Sequence, residues 1–85
     1  MAKLVMGIGE AIKELRGGNR VARLGWNGQG QFLEIKDPSY RSEMTLSYVY
    51  ITTVNGQRVP WLCSQTDLLA EDWVVIDYSD EELYD

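Results

Sequence analysis

The first clear pattern along the chain is a helical spacing of apolar residues near its beginning. Apolar residues recur there at intervals of three and four, which places them on one face of a helix. They are Ile8, Ala11, Ile12 and Leu15. Two glycines, Gly17-Gly18, follow at once and end the pattern. The spacing predicts one short amphipathic helix.

Two alternating runs come next, separated by a glycine-rich segment. Residues 21–26 alternate as a strand does, and residues 31–36 alternate again. The intervening Asn27-Gly28 and Gly30 tolerate the positive φ angles that tight turns require. The pattern predicts two antiparallel strands joined as a hairpin.

The strongest hairpin signal lies in the middle of the chain. Residues 47–54 are dense in β-branched and aromatic residues, and Asn55-Gly56 follows them directly. A two-residue turn at this dipeptide places Thr52 opposite Val59. Pro60 lacks an amide hydrogen, so the returning strand ends there or lies at an edge of the sheet.

The rest of the pattern predicts a loop, a short helix and a last strand. Residues 37–46 have no clear period and predict a loop. Ser64 with Asp67 three residues later is typical of a capped helix start, and the WVVI run at residues 73–76 predicts a strand. The expected fold is α+β, a small single domain over residues 1–76. It has a mainly antiparallel sheet, one N-terminal amphipathic helix and one short helix before the last strand.

Charge changes this picture at the C-terminal end. The 85 residues carry eight Lys and Arg against thirteen Asp and Glu, a net charge of −5. Five of the acids follow the last predicted strand, so residues 77–85 form an acidic tail and residues 1–76 are neutral. Duplex DNA and anionic membranes require a clustered basic surface, so we expect neither as a partner.

The residue types that are missing exclude most small-enzyme chemistry. The chain has no histidine, which removes Ser–His and Cys–His nucleophile pairs and His-based metal sites. Its one cysteine, Cys63, cannot form a disulfide within the chain, and no signal-peptide pattern or long apolar run appears. We therefore expect a cytoplasmic, non-enzymatic protein that needs no cofactor and no metal.

The glycine-rich segment at residues 25–30 is the first candidate binding site. A turn does not need tryptophan, so Trp26 is a candidate to stack on a base while Asn27 and the backbone at Gly28 bind a sugar or phosphate. Arg23 is the nearest candidate for a phosphate clamp. In the alternative interpretation, Trp26 anchors the core and the glycines only shape the turn. The residues alone leave both interpretations open.

The second candidate site is the segment at residues 60–67. It places a second tryptophan, Trp61, before four consecutive hydrogen-bonding side chains at a predicted helix start. These four are Ser64, Gln65, Thr66 and Asp67. Helix capping explains Ser64 and Asp67 without any ligand, but it explains Gln65 less well.

Taken together, these segments resemble a known family. The GEAIKELRGG helix, VARLGWNGQGQFL, VPWLCSQTDLLAEDW and the closing VVI strand are similar to the second family of phage Thoeris anti-defence proteins. The likeness covers residues 8–76. It implies a non-enzymatic sponge, a homotetramer that sequesters cyclic ADP-ribose-type signals and, in some members, cyclic oligonucleotides. The immune effector is then never activated.

The resemblance also implies where the ligand lies. Trp26 and Asn27 are expected near a nucleotide pocket built between protomers, together with Gln65, Thr66 and Asp67. The loop at residues 37–47 is where family members differ most, so it is a candidate for deciding which signal fits. A chain with so small a core also gains stability from forming a homo-oligomer.

Two other classes of function stay open at this point. In the first, the chain is an enzyme that cleaves the signal with Asp67, Glu71 or Asp72 as acid or base, and recovery of intact ligand discriminates it from a sponge. In the second, the chain is a protein-binding inhibitor or adaptor that uses Tyr48 and Tyr50 or the acidic tail. Co-purification with a protein and without nucleotide supports the second.

Overall fold

The computed structural model describes residues 4–26 and 30–76, which form two helices and a five-stranded sheet. In chain order the elements are α1 (Ile8–Arg16), β1 (Arg20–Arg23), β2 (Phe32–Lys36), β3 (Tyr48–Thr52), β4 (Arg58–Pro60), α2 (Gln65–Leu69) and β5 (Trp73–Ile76). All the paired strands are antiparallel, which confirms the predicted α+β class. The predicted site residues Asn27 and Gly28 and the acidic tail at 77–85 lie outside the described residues.

The order of strands across the sheet is β4-β3-β2-β1-β5. The last strand therefore returns to pair with the first. Val21 of β1 lies opposite Leu33 of β2 on one side and opposite Val75 of β5 on the other. Beyond β5, Met6 forms an isolated bridge with Trp73, so the segment before α1 continues the sheet by one pair.

Helix α1 covers one face of this sheet and closes the core. Its Ala11 and Leu15 are buried and pack with Val21, Leu33 and Trp73 in one cluster. Glu10 in the first turn and Arg16 in the last complement the helix macrodipole. Within the described parts of the chain, neither helix has the length and apolar character needed to cross a membrane.

The opposite side of the sheet has a different character, and we call it the outer face. Residues that lie opposite each other on antiparallel strands point to the same side of the sheet, so the strand pairing defines this face. Its members include Arg20, Phe32, Glu34, Lys36, Tyr48, Tyr50, Thr52 and Arg58. Cations and aromatic rings alternate there, for example with the Arg20 guanidinium 4.6 Å from the centroid of the Phe32 ring.

The predicted hairpin between β3 and β4 is present, but its predicted register is wrong by one residue. Thr52 lies opposite Arg58, and Val59 lies opposite Ile51. Because side chains alternate between faces, this shift places Val59 on the face that carries Ile51 and moves Arg58 to the outer face.

The cause of the shift is the length of the loop. The backbone N–H of Thr53 donates to the carbonyl of Gln57 at 2.8 Å, so the loop holds three residues instead of two. Gly56 closes it with a φ of +81°, the left-handed conformation that three-residue hairpins use. Asn55-Gly56 thus predicts the position of the turn correctly. Gly56 is the third residue of a three-residue loop, however, and not the second residue of a two-residue loop.

Substitution of Gly56 tests this loop geometry. We expect Gly56→Ala to lower the free energy of unfolding by about 1–2 kcal/mol, because a side chain at positive φ is strained. Gly9→Ala is the matched control, since Gly9 is in α1 and has open space for a Cβ. It should raise stability by about 0.5–1 kcal/mol. Denaturant unfolding at one fixed protein concentration measures both, and an unchanged or raised stability of Gly56→Ala contradicts the three-residue loop.

Candidate functional site

The tryptophans of the two predicted binding segments converge on a third tryptophan. Trp73, at the start of β5, is 0% exposed. Trp26 and Trp61 meet it edge to face, with ring centroids 5.3 Å and 5.9 Å from that of Trp73. Such pairs contribute about 0.5–1.5 kcal/mol each beyond the area they bury. We call these three residues the tryptophan cluster.

Asp67 is the polar centre of this cluster. Its Oδ1 atom accepts a hydrogen bond from Trp26 Nε1 at 3.0 Å and one from Arg23 Nη1 at 2.9 Å. Its backbone carbonyl accepts one from Trp73 Nε1 at 3.1 Å. A single residue of α2 therefore satisfies the indole N–H groups of two tryptophans and fixes α2 against the cluster.

The position of Asp67 is set by the cap of its own helix. Ser64 precedes α2, and its Oγ accepts a hydrogen bond from the backbone N–H of Asp67 at 3.1 Å, which confirms the predicted capped helix. The helix has only five residues, so its macrodipole is small. Its first residues, Gln65 and Thr66, have exposed side chains.

Arg23 connects Asp67 to a second carboxylate, that of Asp72. Arg23 Nε donates to Asp72 Oδ1 at 2.7 Å, and Asp72 Oδ2 accepts the backbone N–H of Gly25 at 2.8 Å. The side chains of Arg23, Asp67 and Asp72 are 16%, 14% and 31% exposed, so water screens these pairs less than it screens surface pairs. The network ties together the end of β1, the turn that follows it, α2 and the start of β5.

Of the two described glycines in the first segment, Gly25 and Gly30, Gly25 is the one that lies against this network. A Cβ at this position would lie 2.8 Å from Asp72 Oδ2 and 3.1 Å from Arg23 Nη2. Both atoms are the ends of side chains in the ion pair. A larger residue at position 25 would therefore have to displace Asp72 and Arg23 from their paired positions.

The electrostatics of the network keep all three groups charged. The hydrogen bonds that Arg23 donates to the side chains of Asp72 and Asp67 raise the pKa of Arg23. Burial alone would raise the pKa of Asp67, but its hydrogen bonds with Trp26 and Arg23 outweigh burial and hold that pKa below its usual value. The hydrogen bond from Arg23 lowers the pKa of Asp72 in the same way. One cation and two carboxylates leave the network with a net charge of −1.

The structure places five of the predicted site residues in one connected group. They are Arg23, Trp26, Trp61, Ser64 and Asp67. Gln65 and Thr66 adjoin this group on α2, and Asn27 and Gly28 lie outside the described residues. The two segments are adjacent in space although Trp26 and Asp67 are 41 residues apart in sequence.

Asp72 and Trp73 also belong to this group, although no local sequence pattern predicts their contributions. The sequence predicts Asp72 only as a candidate acid or base, and Trp73 only as the start of a strand. The sequence does carry one signal, the unbroken apolar run WVVI of the last strand, which begins with a large aromatic residue. No local sequence pattern indicates that β5 pairs with β1, because this pairing brings together residues as far apart in sequence as Arg23 and Asp72.

The arrangement suits binding better than proton transfer or nucleophilic attack. A general acid at neutral pH needs a raised pKa, whereas the pKa values of Asp67 and Asp72 are lowered. Burial raises the pKa of the Cys63 thiol, which keeps it protonated and a poor nucleophile. Within residues 4–26 and 30–76, no group of three His, Cys, Asp or Glu side chains is placed to hold a metal ion.

By fold and site, the chain is a small antiparallel α+β protein whose candidate site is aromatic and rich in hydrogen bonds. Residues 6–76 match the family described as the Thoeris anti-defense 2-like domain. The chain is also 34% identical over 87 residues to Thoeris anti-defense 2 of Bacillus phage SP01, an alignment that covers 87% of this chain and 98% of that protein. The chain belongs to the Thoeris anti-defense 2 family, and the predicted resemblance is confirmed. This makes it a phage anti-defence protein.

The network predicts a specific dependence of stability on pH. Because the folded-state pKa values of Asp67 and Asp72 are depressed, their contribution is present above the unfolded pKa of about 3.9 and is lost as pH falls through the lower folded values. Removing the cation in Arg23→Gln returns both pKa values towards normal. We therefore expect the loss of stability between pH 5 and 2 to be steeper in the wild type than in Arg23→Gln.

Thermal unfolding of both proteins followed by circular dichroism across this pH range measures the difference. Arg41→Gln is the matched control, since Arg41 has an exposed side chain in the 37–47 loop and contacts only Tyr40 among the described residues. Its pH profile should parallel that of the wild type. Parallel profiles for the wild type and Arg23→Gln contradict a network that stabilises the fold through ionised carboxylates.

Proposed function

We propose that this protein is a non-enzymatic sponge that binds a cyclic ADP-ribose-type signal, or a cyclic oligonucleotide, and thereby blocks Thoeris-like antiviral signalling. It acts as a homo-oligomer, a tetramer, in the cytoplasm of the infected bacterium. Membership of the anti-defence family supports the biological role. The observation that carries the binding role is the convergence of the two tryptophan segments around Asp67.

This convergence supports a preorganised site. Trp26 is only partly buried, and its ring is fixed by the edge contact with Trp73 and by the hydrogen bond to Asp67. A base that stacks on such a ring loses its own freedom but does not have to order the protein, which improves affinity. Stacking on one aromatic side chain contributes about 1–3 kcal/mol.

The net negative charge of the network disfavours phosphates beside its carboxylates, so other groups are needed to bind the phosphates of the ligand. Arg23 already balances part of the charge of Asp67 and Asp72, and the group carries a net −1. In the proposed complex, Arg23 either exchanges a carboxylate partner for a phosphate or acts by holding Asp67 and Trp26 in place. The remaining polar contacts to sugar and phosphate come from neutral donors, namely Asn27, Gln65 and Thr66, and from the backbone at Gly28.

An oligomeric sponge is supported by the apolar surface of the single chain. Leu46, Leu62 and Leu69 are 80%, 90% and 76% exposed. A leucine that becomes buried at an interface contributes about 1.5–3 kcal/mol of transfer free energy. A ligand with adenine, two riboses and a pyrophosphate is large for one 85-residue chain to enclose. A pocket shared between protomers provides the surface for binding at about nanomolar affinity, on the order of −12 kcal/mol.

Native mass spectrometry of the purified protein with added cyclic ADP-ribose tests the sponge directly. We expect a tetramer that retains ligand, and ligand of unchanged mass after the complex is denatured. Cleaved ligand would support the enzyme alternative that uses Asp67, Glu71 or Asp72. A monomer, or an oligomer that binds only a protein and no nucleotide of either class, contradicts the proposal.

Trp26→Ala tests the site. We expect it to weaken binding of cyclic ADP-ribose by about 1–3 kcal/mol, or roughly five- to 150-fold, because the stacking surface is lost. Its melting temperature also falls, since the ring packs on Trp73. Trp26→Phe is the matched control: it keeps an aromatic face, of smaller area, and removes the indole N–H that donates to Asp67. It should keep most of the affinity while losing some stability.

Calorimetric titration and thermal unfolding on the same preparations separate the two effects. Full ligand affinity in folded Trp26→Ala would eliminate this residue from the binding site and leave it a core anchor.

A further inference from the structure

A groove lies on the outer face of the sheet, away from α1. It has a volume of about 330 Å³ and is lined by Lys36, Tyr48, Tyr50, Arg58, Val59 and Pro60. The two tyrosine rings are 6.5 Å apart, and the Arg58 guanidinium lies 5.6 Å from the centroid of the Tyr50 ring. The groove therefore combines aromatic surface with a cation from β2 and another from β4.

The positive charge of this groove is not balanced within the described residues. The carboxylate of Glu34 pairs with Arg20 at 3.4 Å and accepts a hydrogen bond from Tyr50 Oη at 3.1 Å. Across residues 4–26 and 30–76, no carboxylate lies within ion-pair distance of Lys36 or Arg58. Both side chains are accessible to an acidic partner.

A buried threonine hydroxyl lies next to the groove. Thr52, opposite Arg58, is 8% exposed, and its Oγ1 atom has no hydrogen-bond partner in the part of the chain that the structure describes. A buried hydroxyl without a partner is unfavourable. The outer face thus offers two cations and an aromatic surface in neighbouring positions, while the Thr52 hydroxyl beside them is buried.

The chain itself contains a segment with the complementary chemistry. Residues 77–85 hold five carboxylates and no basic residue, together with Tyr78, Leu83 and Tyr84. The carboxylates can form ion pairs with Lys36 and Arg58, and the apolar side chains can pack against the rings of Tyr48 and Tyr50. We propose that the groove is a binding surface for an acidic, tyrosine-containing peptide, and that residues 77–85 of the same chain occupy it.

The strand order makes this docking possible in length and direction. β5 ends at Ile76, opposite Arg20, and Arg20 pairs with Glu34, which lies opposite Tyr50. Tyr50 is therefore three strands from β5, about 14 Å at roughly 4.8 Å per strand. The nine residues after Ile76 span up to about 30 Å when extended, at roughly 3.3 Å each. The segment also leaves β5 at the end of the sheet where Lys36 and Tyr48 lie.

Carbodiimide cross-linking of the full-length protein tests this docking. The reagent joins a lysine amine to a carboxylate that touches it, as an amide, and peptide mass spectrometry identifies the pair. We expect Lys36 to cross-link to carboxylates of residues 77–85 at least tenfold more than Lys13 does. Lys13 is an exposed lysine of α1 on the other side of the sheet and serves as an internal control.

A pair of matched variants tests the part played by Arg58. Arg58→Gln should lower the yield of the Lys36 cross-link several-fold, as should 0.5 M salt, because each weakens the attraction of the groove for the carboxylates. Arg16→Gln makes the same change of charge on an exposed residue of α1 and should leave the yield unchanged. The double variant Glu81→Gln/Glu82→Gln should lower the yield of cross-links from Lys36 to Asp80 and Asp85 without altering the groove. It therefore tests the docking even if Arg58→Gln fails to fold.

Two results overturn the inference. One is a Lys36 yield equal to that of Lys13 or unaffected by both sets of variants. The other comes from protein refolded from a denatured mixture of equal parts unlabelled and ¹⁵N-labelled chains: cross-links between differently labelled peptides at the frequency of random pairing assign the segment to a second copy of the chain. Neither result bears on the sponge, because the tryptophan cluster and the outer-face groove share no residue.

Discussion

The assembly of this small domain depends on hydrogen-bond acceptors for two indole N–H groups, those of Trp26 and Trp73. Trp73 is fully buried, and an unpaired N–H there would cost about 1–3 kcal/mol. Asp67 supplies its carbonyl to Trp73 and its carboxylate to Trp26. Once Asp67 is fixed, Arg23 must neutralise it, and Asp72 then holds the other side of Arg23. The end of β1, its turn, α2 and β5 are placed by this one chain of contacts.

The elements of the fold were predictable from local pattern, but their partners were not. Helix α1, the five strands and the Ser64 cap follow from spacing and capping chemistry within a few residues. The one local error, the register beside Gly56, arose because Asn-Gly serves both two- and three-residue loops. For the site, the sequence identified both tryptophan segments but not Asp72 and Trp73. Their role depends on the pairing of β5 with β1, which no local pattern contains.

The single-layer sheet separates two kinds of chemistry. The face under α1 carries the apolar core and, at one end, the tryptophan cluster. The outer face holds cations and aromatic rings, with Arg20 over Phe32 and Arg58 near Tyr50. The outer face is not uniformly polar, because Ala22, Val74 and Thr52 are buried there. A chain of this size thus presents two distinct surfaces without a second domain.

The same contacts that stabilise the tryptophan cluster limit what chemistry it can perform. Asp67 and Asp72 are held ionised by Arg23, so neither carries a proton to give at neutral pH. Arg23 lies between the two carboxylates. If it left both of them, their negative charges would repel each other without a cation between them. Groups paired in this way are poorly suited to proton transfer, but they fix the position of an aromatic surface. Rigid presentation of a ring beside hydrogen-bonding side chains supports the proposed sequestration, because the site is already ordered before a ligand binds.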